Sequence, residues 1–196
     1  MLTIDLVMTN HNKEIEISHA NTSIGLEIPI VYIPMPFSIY TNKNLLEQYC
    51  NIIRKHMQGS ICNTPLTKYQ TDIFEIFNTQ TIPIMPTYEY VIRIYAKMEC
   101  NINILVMSLI YISRLREKTS LTLTVFNIYK LMLISMIVGI KYTDDMFYTG
   151  NEYAKIGGIP LDEYILLEQT FLVVLGFDLW IDFVEFSNVY NELYNN

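Results

Sequence analysis

The sequence has little positive charge. Its 196 residues include 13 lysines and arginines against 20 aspartates and glutamates, which gives a formal net charge of −7. Proteins that bind DNA or RNA use clustered lysine and arginine to contact phosphates, and here the basic residues are few and scattered. An anionic membrane surface attracts the same kind of basic cluster. We therefore expect neither nucleic acid nor a membrane as the partner.

Cysteines and long apolar runs are also scarce. The three cysteines are widely spaced and form no C-x-x-C motif, which argues against a zinc ribbon or a thioredoxin-like site. The first residues contain no basic segment followed by an apolar stretch of signal-peptide length. The longest apolar run, Leu131 to Ile140, is much shorter than the roughly 20 residues of a membrane-spanning helix. We expect an intracellular protein of the cytoplasm, the nucleus or both, with reduced thiols.

Sequence motifs of catalysis are missing. The chain contains no G-x-G-x-x-G, no P-loop, no G-x-S-x-G and no H-E-x-x-H. Asp144 and Asp145 are adjacent, but the residues after them lack the oxygen-ligand spacing of a calcium-binding loop. We therefore predict a non-catalytic protein without a cofactor and without a metal site.

The pattern after residue 43 is helical. Residues 1–42 are rich in proline near their end, which favours an extended or partly disordered arm. From there on, apolar residues recur at helical spacing in eight stretches: 44–57, 66–77, 87–98, 101–118, 124–142, 151–156, 160–177 and 182–194. Gly158 and Gly176 are expected to end two of these helices. The sequence therefore predicts an all-α fold.

The stretch 124–142 is apolar on nearly every side, so we expect the other helices to surround it. Thr122 or Thr124 is the expected N-cap of this helix. Its predicted core residues are Met132, Ile134, Met136, Ile137, Val138 and Ile140.

Two charged residues stand out by their position. Glu168 falls within the apolar arc of its helix, where it either reaches water at the edge or meets hydrogen-bond donors of a partner. Lys141 lies at the end of the central helix, on its least apolar stripe with Asn127, Lys130 and Ile134. It either stabilises the helix C-terminus or contacts a partner. Among the other charged residues, His56 is expected to be a solvated charge at a helix C-terminus. The spacing of Glu89 and Arg93 suggests a surface ion pair.

Several motifs resemble those of the P/U-type cyclins, the small cyclins of the fungal phosphate pathway and their plant relatives. The matching segments are Asn-Ile-Tyr-Lys-Leu at 127–131, Gly-Ile-Lys-Tyr at 139–142 with Asp145, Tyr-Ala-Lys-Ile-Gly-Gly at 153–158, Leu167-Glu168, and Leu-Gly-Phe at 175–177. The resemblance covers roughly residues 43 to 185. It implies a cyclin-box fold, a five-helix bundle around a buried central helix, with extra N-terminal and C-terminal helices. The implied division is the arm 1–42, a single cyclin box with its preceding helix at 43–185, and a C-terminal helical end at 186–196.

The resemblance also implies a function. A cyclin binds a cyclin-dependent kinase catalytic subunit, holds the kinase C-helix inward and orders the activation loop. By position, Lys141 and Glu168 match the pair that bonds backbone near the kinase C-helix, and Glu168 is expected to have no partner within its own chain. Asp145 is a further candidate, for kinase arginines near the activation loop.

The chain departs from the family pattern at two positions. Ser113 replaces the usual aspartate of a Y-I-D-R motif, which puts an internal ion pair there in doubt. Lys130 stands where the family often has arginine, and we expect this to alter a surface contact, because lysine cannot bind bidentately.

Two other classes of protein are alternatives to a kinase-regulatory cyclin. A cyclin-fold transcription factor that binds DNA should be basic and usually has two boxes, whereas this chain is acidic and only 17 residues follow Leu179. A cyclin-fold adaptor or scaffold that no longer activates a kinase is the second alternative. The presence of both Lys141 and Glu168 argues against it.

Overall fold

The computed structural model describes residues 43–58 and 67–195. Within these residues the chain forms eight α-helices and no strand, which confirms the predicted all-α fold. The helices are α1 (Lys43–Gln58), α2 (Lys68–Phe77), α3 (Thr87–Met98), α4 (Asn103–Thr119), α5 (Ile128–Thr143), α6 (Gly150–Gly157), α7 (Leu161–Leu175) and α8 (Phe183–Asn195). The predicted arm 1–42 lies outside the described residues.

Helix α5 is the centre of the fold. Every residue from Ile128 to Ile140 is buried, and α5 packs against α3, α4, α6 and α7. All six residues predicted for its core are at most 3% exposed. The helix is buried all round because its sequence offers apolar side chains in every direction. Because α5 is packed on all sides, the side chains at its two ends have fixed positions in the fold.

The start of α5 differs from the prediction. Neither Thr122 nor Thr124 caps the helix, which begins at Ile128 after Asn127. The Asn127 side chain instead closes the preceding turn: its amide donates to the Thr122 carbonyl at 3.0 Å, and its oxygen accepts from the Thr124 backbone N–H at 2.9 Å. These local bonds compete with helical ones, so residues 122–124 stay irregular and 125–127 form a turn before the helix.

Helix α6 is short and tightly placed. Thr149 begins it with a capping box, and Gly158 ends it in the left-handed conformation at φ 74°, as predicted. Gly157 lies against α5, where an added Cβ would be 2.3 Å from Cδ2 of the buried Leu133. The absence of a side chain at 157 is what allows α6 to approach α5 this closely.

The flanking helices complete the bundle. Helices α1 and α2 precede the five helices α3 to α7, and α8 packs against α1 and α4. Since α8 begins at Phe183, the expected boundary at 185/186 falls inside this helix. None of the helices in the described part of the chain has the length and apolar character needed to span a bilayer.

Candidate functional site

Lys141 and Glu168 form an ion pair. Lys141 lies in the last turn of α5 and Glu168 in the middle of α7, and Lys141 Nζ is 2.7 Å from Glu168 Oε1. Their side chains are 27% and 19% exposed, so both lie at the surface. The expectation that Glu168 has no partner within its own chain was therefore wrong. The packing of α7 on α5 brings together two charges that are far apart in the sequence.

Tyr164 is the third member of this site. Lys141 Nζ also donates to the Tyr164 hydroxyl at 2.9 Å. Burial and the neighbouring Glu168 carboxylate raise the pKa of Tyr164, so its hydroxyl stays protonated. Tyr164 was not among the residues predicted from the sequence, although its position four residues before Glu168 places the two on one face of α7.

Three aromatic rings surround the Lys141 ammonium. The ring centroids of Phe147, Tyr153 and Tyr164 lie 5.6 to 5.9 Å from Nζ, within the range of cation–π interactions. Gly150 makes room for one of them, since an added Cβ there would be 2.9 Å from Cε1 of Tyr164. The ammonium is therefore held by a carboxylate, a hydroxyl and three rings, and its position is fixed before any partner arrives.

Exposed apolar side chains surround the ion pair. On α7, Leu161, Ile165, Glu168 and Leu172 follow one another at helical spacing, and the first two are exposed. Tyr142 on α5 and Met146 and Phe147 in the next loop are exposed as well. We call this surface the α5–α7 face: Lys141, Tyr142, Met146, Phe147, Leu161, Ile165, Glu168 and Leu172. Apolar side chains clustered around a few polar groups are typical of a protein–protein interface.

Asp145 lies in the loop that follows α5 and is exposed. Its neighbour Asp144 is the C-cap of the helix: the Asp144 backbone N–H makes the last helical bond, to the Ile140 carbonyl at 2.8 Å, and its own backbone is extended. Asp145 is therefore an exposed acidic residue at the same end of α5 as Lys141.

Lys130 is buried, whereas the sequence predicted a surface contact for it. It is 9% exposed, and its ammonium donates to the carbonyls of Ile76 and Asn78 at 3.1 and 2.8 Å. Oε1 of Glu163 on α7 is the third oxygen near the ammonium, 2.9 Å from Lys130 Nζ. Asn127 and Ile134, which share the least apolar stripe of α5 with Lys130, are buried as well. Lys130 therefore joins the C-terminal end of α2 to α5 and α7.

Arg114 keeps an ion pair despite Ser113. Its guanidinium binds the Glu185 carboxylate of α8, with Nε 3.1 Å from Oε1, and Ser113 donates to Glu117 at 3.3 Å. Arg114 also donates to the carbonyls of Asp178 and Trp180 at 3.0 and 2.8 Å. A carboxylate from α8 thus pairs with this arginine, where the family pattern would supply an aspartate one residue before it.

Two further basic residues differ from the expectations. His56 is half-buried, and Arg116 Nη1 lies 3.2 Å from its Nδ1. Burial and the Arg116 charge lower the pKa of His56, so it is neutral at pH 7 and is not the solvated charge we expected. Arg93 donates to the Ile156 carbonyl at 3.2 Å, which ties α3 to the end of α6.

Comparisons with known proteins match most of the chain. The family model described as Cyclin matches residues 36–179. Cyclin-U4-1 of Arabidopsis thaliana is 32% identical over 111 residues, which cover 56% of this chain and 55% of the relative. Cyclin-P3-1 of Oryza sativa subsp. japonica is 32% identical over 117 residues, 60% of this chain and 50% of the relative. The PHO85 cyclin-like protein psl1 of Schizosaccharomyces pombe is 32% identical over 120 residues, which cover 60% of this chain and 49% of the relative. The chain spans about half the length of the curated relatives it matches.

Proposed function

Since this chain belongs to the cyclin family, we propose that it is a regulatory subunit that binds and activates a cyclin-dependent protein kinase. The observation that carries the proposal is the α5–α7 face, where a fixed lysine–glutamate pair lies among exposed apolar side chains. One relative at 32% identity bears the name PHO85 cyclin-like protein, so we propose a PHO85-type kinase as the partner. The chain itself would contribute no catalytic group.

The pair is suited to bind a backbone. An ammonium has three donors, and the bonds to Glu168 and Tyr164 use two of them. The third donor can meet a carbonyl of the kinase, and the second carboxylate oxygen of Glu168 can accept a backbone N–H. Because Lys141 and Glu168 already hold each other in place, little side-chain entropy is lost when the kinase binds.

The apolar rim supplies the second part of the mechanism. Ile165, Leu172 and Met146 would pack against the kinase C-helix and hold it inward, in the position that its own Lys–Glu pair requires for phosphoryl transfer. Asp145 would pair with arginines near the activation loop and order it. In this proposal the kinase supplies all catalytic groups, and the cyclin shifts its population toward the active conformation.

The test uses a PHO85-type catalytic subunit purified alone. We expect the wild-type chain to bind it and raise its activity toward a peptide substrate. Lys141→Ala and Glu168→Ala should each weaken binding by about 2 to 5 kcal/mol, roughly thirtyfold to several-thousandfold, because each leaves polar groups unpaired at a desolvated interface. The double mutant should lose less than the sum of the singles, since both residues contact one kinase element.

Thermal melting of the same variants separates binding from folding. The pair is partly exposed, so its loss should change the stability of the free chain by only about 0 to 1 kcal/mol. A purely structural pair, as in an adaptor, would give the reverse: normal kinase activation with loss of stability. Kinase activation equal to wild type by all three variants would refute the assignment of Lys141 and Glu168.

A further inference from the structure

A groove of about 940 Å³ lies between the end of α2, the loop that joins α2 to α3, and the start of α7. We call it the α2–α7 groove. On α7 it is lined by Glu163 and Leu166, so it lies on a different side of that helix from the ion pair of Glu168. Two large apolar side chains line the groove and are exposed, Ile84 completely and Leu166 by 48%. Exposed apolar side chains in a concave surface are typical of a place that another segment covers.

Aromatic rings and prolines also line the α2–α7 groove. The rings of Tyr90 and Tyr129 contact each other edge to face, with centroids 5.0 Å apart. Pro83 and Pro160 line the groove as well. Aromatic-lined grooves bind extended, proline-containing segments, because such segments lose little conformational entropy on binding. The lining therefore favours an extended occupant that contains proline.

The charged groups restrict the occupant further. Asp72, Glu75 and Glu163 supply three negative charges to the lining, and Arg93 and Lys130 supply two positive ones. Both cations already donate to groups of their own chain, whereas the first two acidic residues are exposed. These exposed carboxylates would repel a negatively charged segment. The occupant should therefore be apolar and carry no negative charge.

The chain contains a segment of this kind at residues 31–37, outside the described residues. Its sequence, Val-Tyr-Ile-Pro-Met-Pro-Phe, has two prolines and no charge. Proline fixes its own φ and favours an extended conformation for the residue before it. Along an extended chain, Val31, Ile33, Met35 and Phe37 would lie on one side. The last charged residue before this segment is Glu27, so the acidic part of the arm 1–42 ends before it.

The connection to α1 is long enough for the segment to reach the groove. Phe37 precedes the first residue of α1, Lys43, by six positions, and six residues span at most about 20 Å. Tyr88 at the start of α3 donates to Glu47 near the start of α1 at 3.4 Å. Helix α1 therefore begins close to the loop that lines the groove. A tethered segment has an effective concentration on the order of millimolar, so weak contacts are sufficient.

We propose that residues 31–37 bind along the α2–α7 groove of the same chain. The apolar side of the segment packs against Ile84 and Leu166, and its prolines pack against the rings of Tyr90 and Tyr129. The segment covers apolar surface of its own fold, and another molecule can use the groove only after displacing it. This inference is independent of the proposed function, and its tests contain no kinase.

The first experiment uses the full-length chain with Phe37→p-benzoylphenylalanine, which keeps an aromatic ring and adds a photoreactive group. Irradiation of dilute protein should give cross-links within one chain to the groove, at residues 83–85 or at Leu166, located by mass spectrometry. Ile84→Asp combined with Leu166→Asp should lower their yield at least fivefold, because an apolar segment would bury the new carboxylates. Val173→Asp is the matched control, since Val173 is 61% exposed on the same helix, and should stay within twofold.

The second experiment observes the groove directly. In the chain labelled with ¹³C-methyl methionine, a Met85→Leu variant assigns the resonance of Met85, which lines the groove. Ile33→Ser combined with Phe37→Ser should shift the Met85 resonance, because the segment that packs beside it loses apolar contacts. The resonance of Met98, which is buried in the core, should stay where it is and shows that the variant is folded.

Each contrary result has a distinct meaning. Cross-links between two chains, with a yield that rises with protein concentration, would assign the α2–α7 groove to a second copy and overturn the proposal. Cross-links only to residues outside the groove, or a yield that both aspartates leave unchanged, would show that the segment binds elsewhere. A Met85 resonance that is identical in wild type and in the Ile33→Ser, Phe37→Ser variant would show that the groove is not covered by residues 31–37.

Discussion

Helix α5 carries two lysines three turns apart, and each forms an ion pair with a glutamate of α7. Lys130 and Glu163 are 2.9 Å apart, and Lys141 and Glu168 are 2.7 Å apart. The two pairs differ in what else surrounds the ammonium. Lys130 is buried against two backbone carbonyls of its own chain. Lys141 lies among aromatic rings at a surface with exposed apolar side chains.

The difference shows that the role of a lysine–glutamate pair depends on the other groups around its ammonium. Lys130 satisfies carbonyl groups at the end of α2 that the helix itself cannot satisfy, so it connects elements of one fold. Around Lys141, the remaining donor and acceptor capacity lies at the surface and is available to another protein. The two ion pairs have nearly equal length. Their surroundings are therefore the reason why we assign a structural role to the first pair and propose an interaction role for the second.

The largest effect on stability is expected in the segment of α5 that lies between the two lysines. Ile137 is fully buried between them, so Ile137→Ala should lower the free energy of unfolding by about 2 to 5 kcal/mol through loss of apolar contacts and the cavity left behind. Urea denaturation measures this change. Met146→Ala, at an exposed position, is the control. A loss below about 0.5 kcal/mol would show that α5 is not the central support of the fold.

The second-largest effect on stability is expected from Lys130→Met, which directly tests the difference between the two ion pairs. Lys130→Met keeps an apolar stem but leaves two carbonyls and Glu163 without their donor, so it should lower the free energy of unfolding by about 1 to 3 kcal/mol. Kinase affinity should not change. Lys141→Met is the matched control, with the reverse result expected: reduced kinase affinity and nearly unchanged stability. If both substitutions gave the same pattern, the two pairs would not differ in role.

A smaller effect is expected from Tyr164→Phe. The substitution keeps the ring and removes only the hydroxyl that holds Lys141. Kinase affinity should fall by about 0.5 to 1.5 kcal/mol, because Lys141 loses one of its positioning bonds. Tyr69→Phe on α2 is the control. A loss as large as that of Lys141→Ala would mean that Tyr164 itself contacts the kinase.

The smallest effect concerns pH and a basic residue remote in sequence from both pairs. The pKa of His56 is lowered in the folded chain, so the unfolded chain binds a proton more readily. The contribution of neutral His56 to stability is therefore complete above its ordinary pKa of 6.5 and is lost as the pH falls through the lower, folded-state value. Thermal melting between pH 7 and 5 should show a flatter profile for His56→Gln than for wild type. Identical profiles would mean that burial and the Arg116 charge do not lower the pKa of His56 in the folded chain.

Local features of the fold could be predicted from the sequence. The helices follow from apolar spacing, and the ends of α6 and α7 follow from Gly158 and Gly176, which both adopt positive φ. The start of α5 could not be predicted in this way, because threonine is a good N-cap in general. Here the Asn127 amide bonds to the backbone of Thr122 and Thr124 and forms a turn.

The candidate site was predicted only in part, for a physical reason. Glu168 stands out on the helical wheel of α7, but a wheel shows one helix and not the side chain that faces it from another. Lys141 is 27 residues away and meets Glu168 only through the packing of α7 on α5. Lys130 could not be recognised as buried, because the carbonyls it binds belong to residues more than 50 positions earlier.

The contact between Gly157 and Leu133 has a consequence for how this sequence can vary. Leu133 is fully buried, and an alanine Cβ at 157 would overlap its side chain, so alanine at 157 is best accommodated by a smaller residue at 133. Related sequences with a side chain at the position of Gly157 should therefore carry valine or alanine at the position of Leu133. In protein design, residues 133 and 157 must be chosen together, because their combined size sets the distance between α5 and α6.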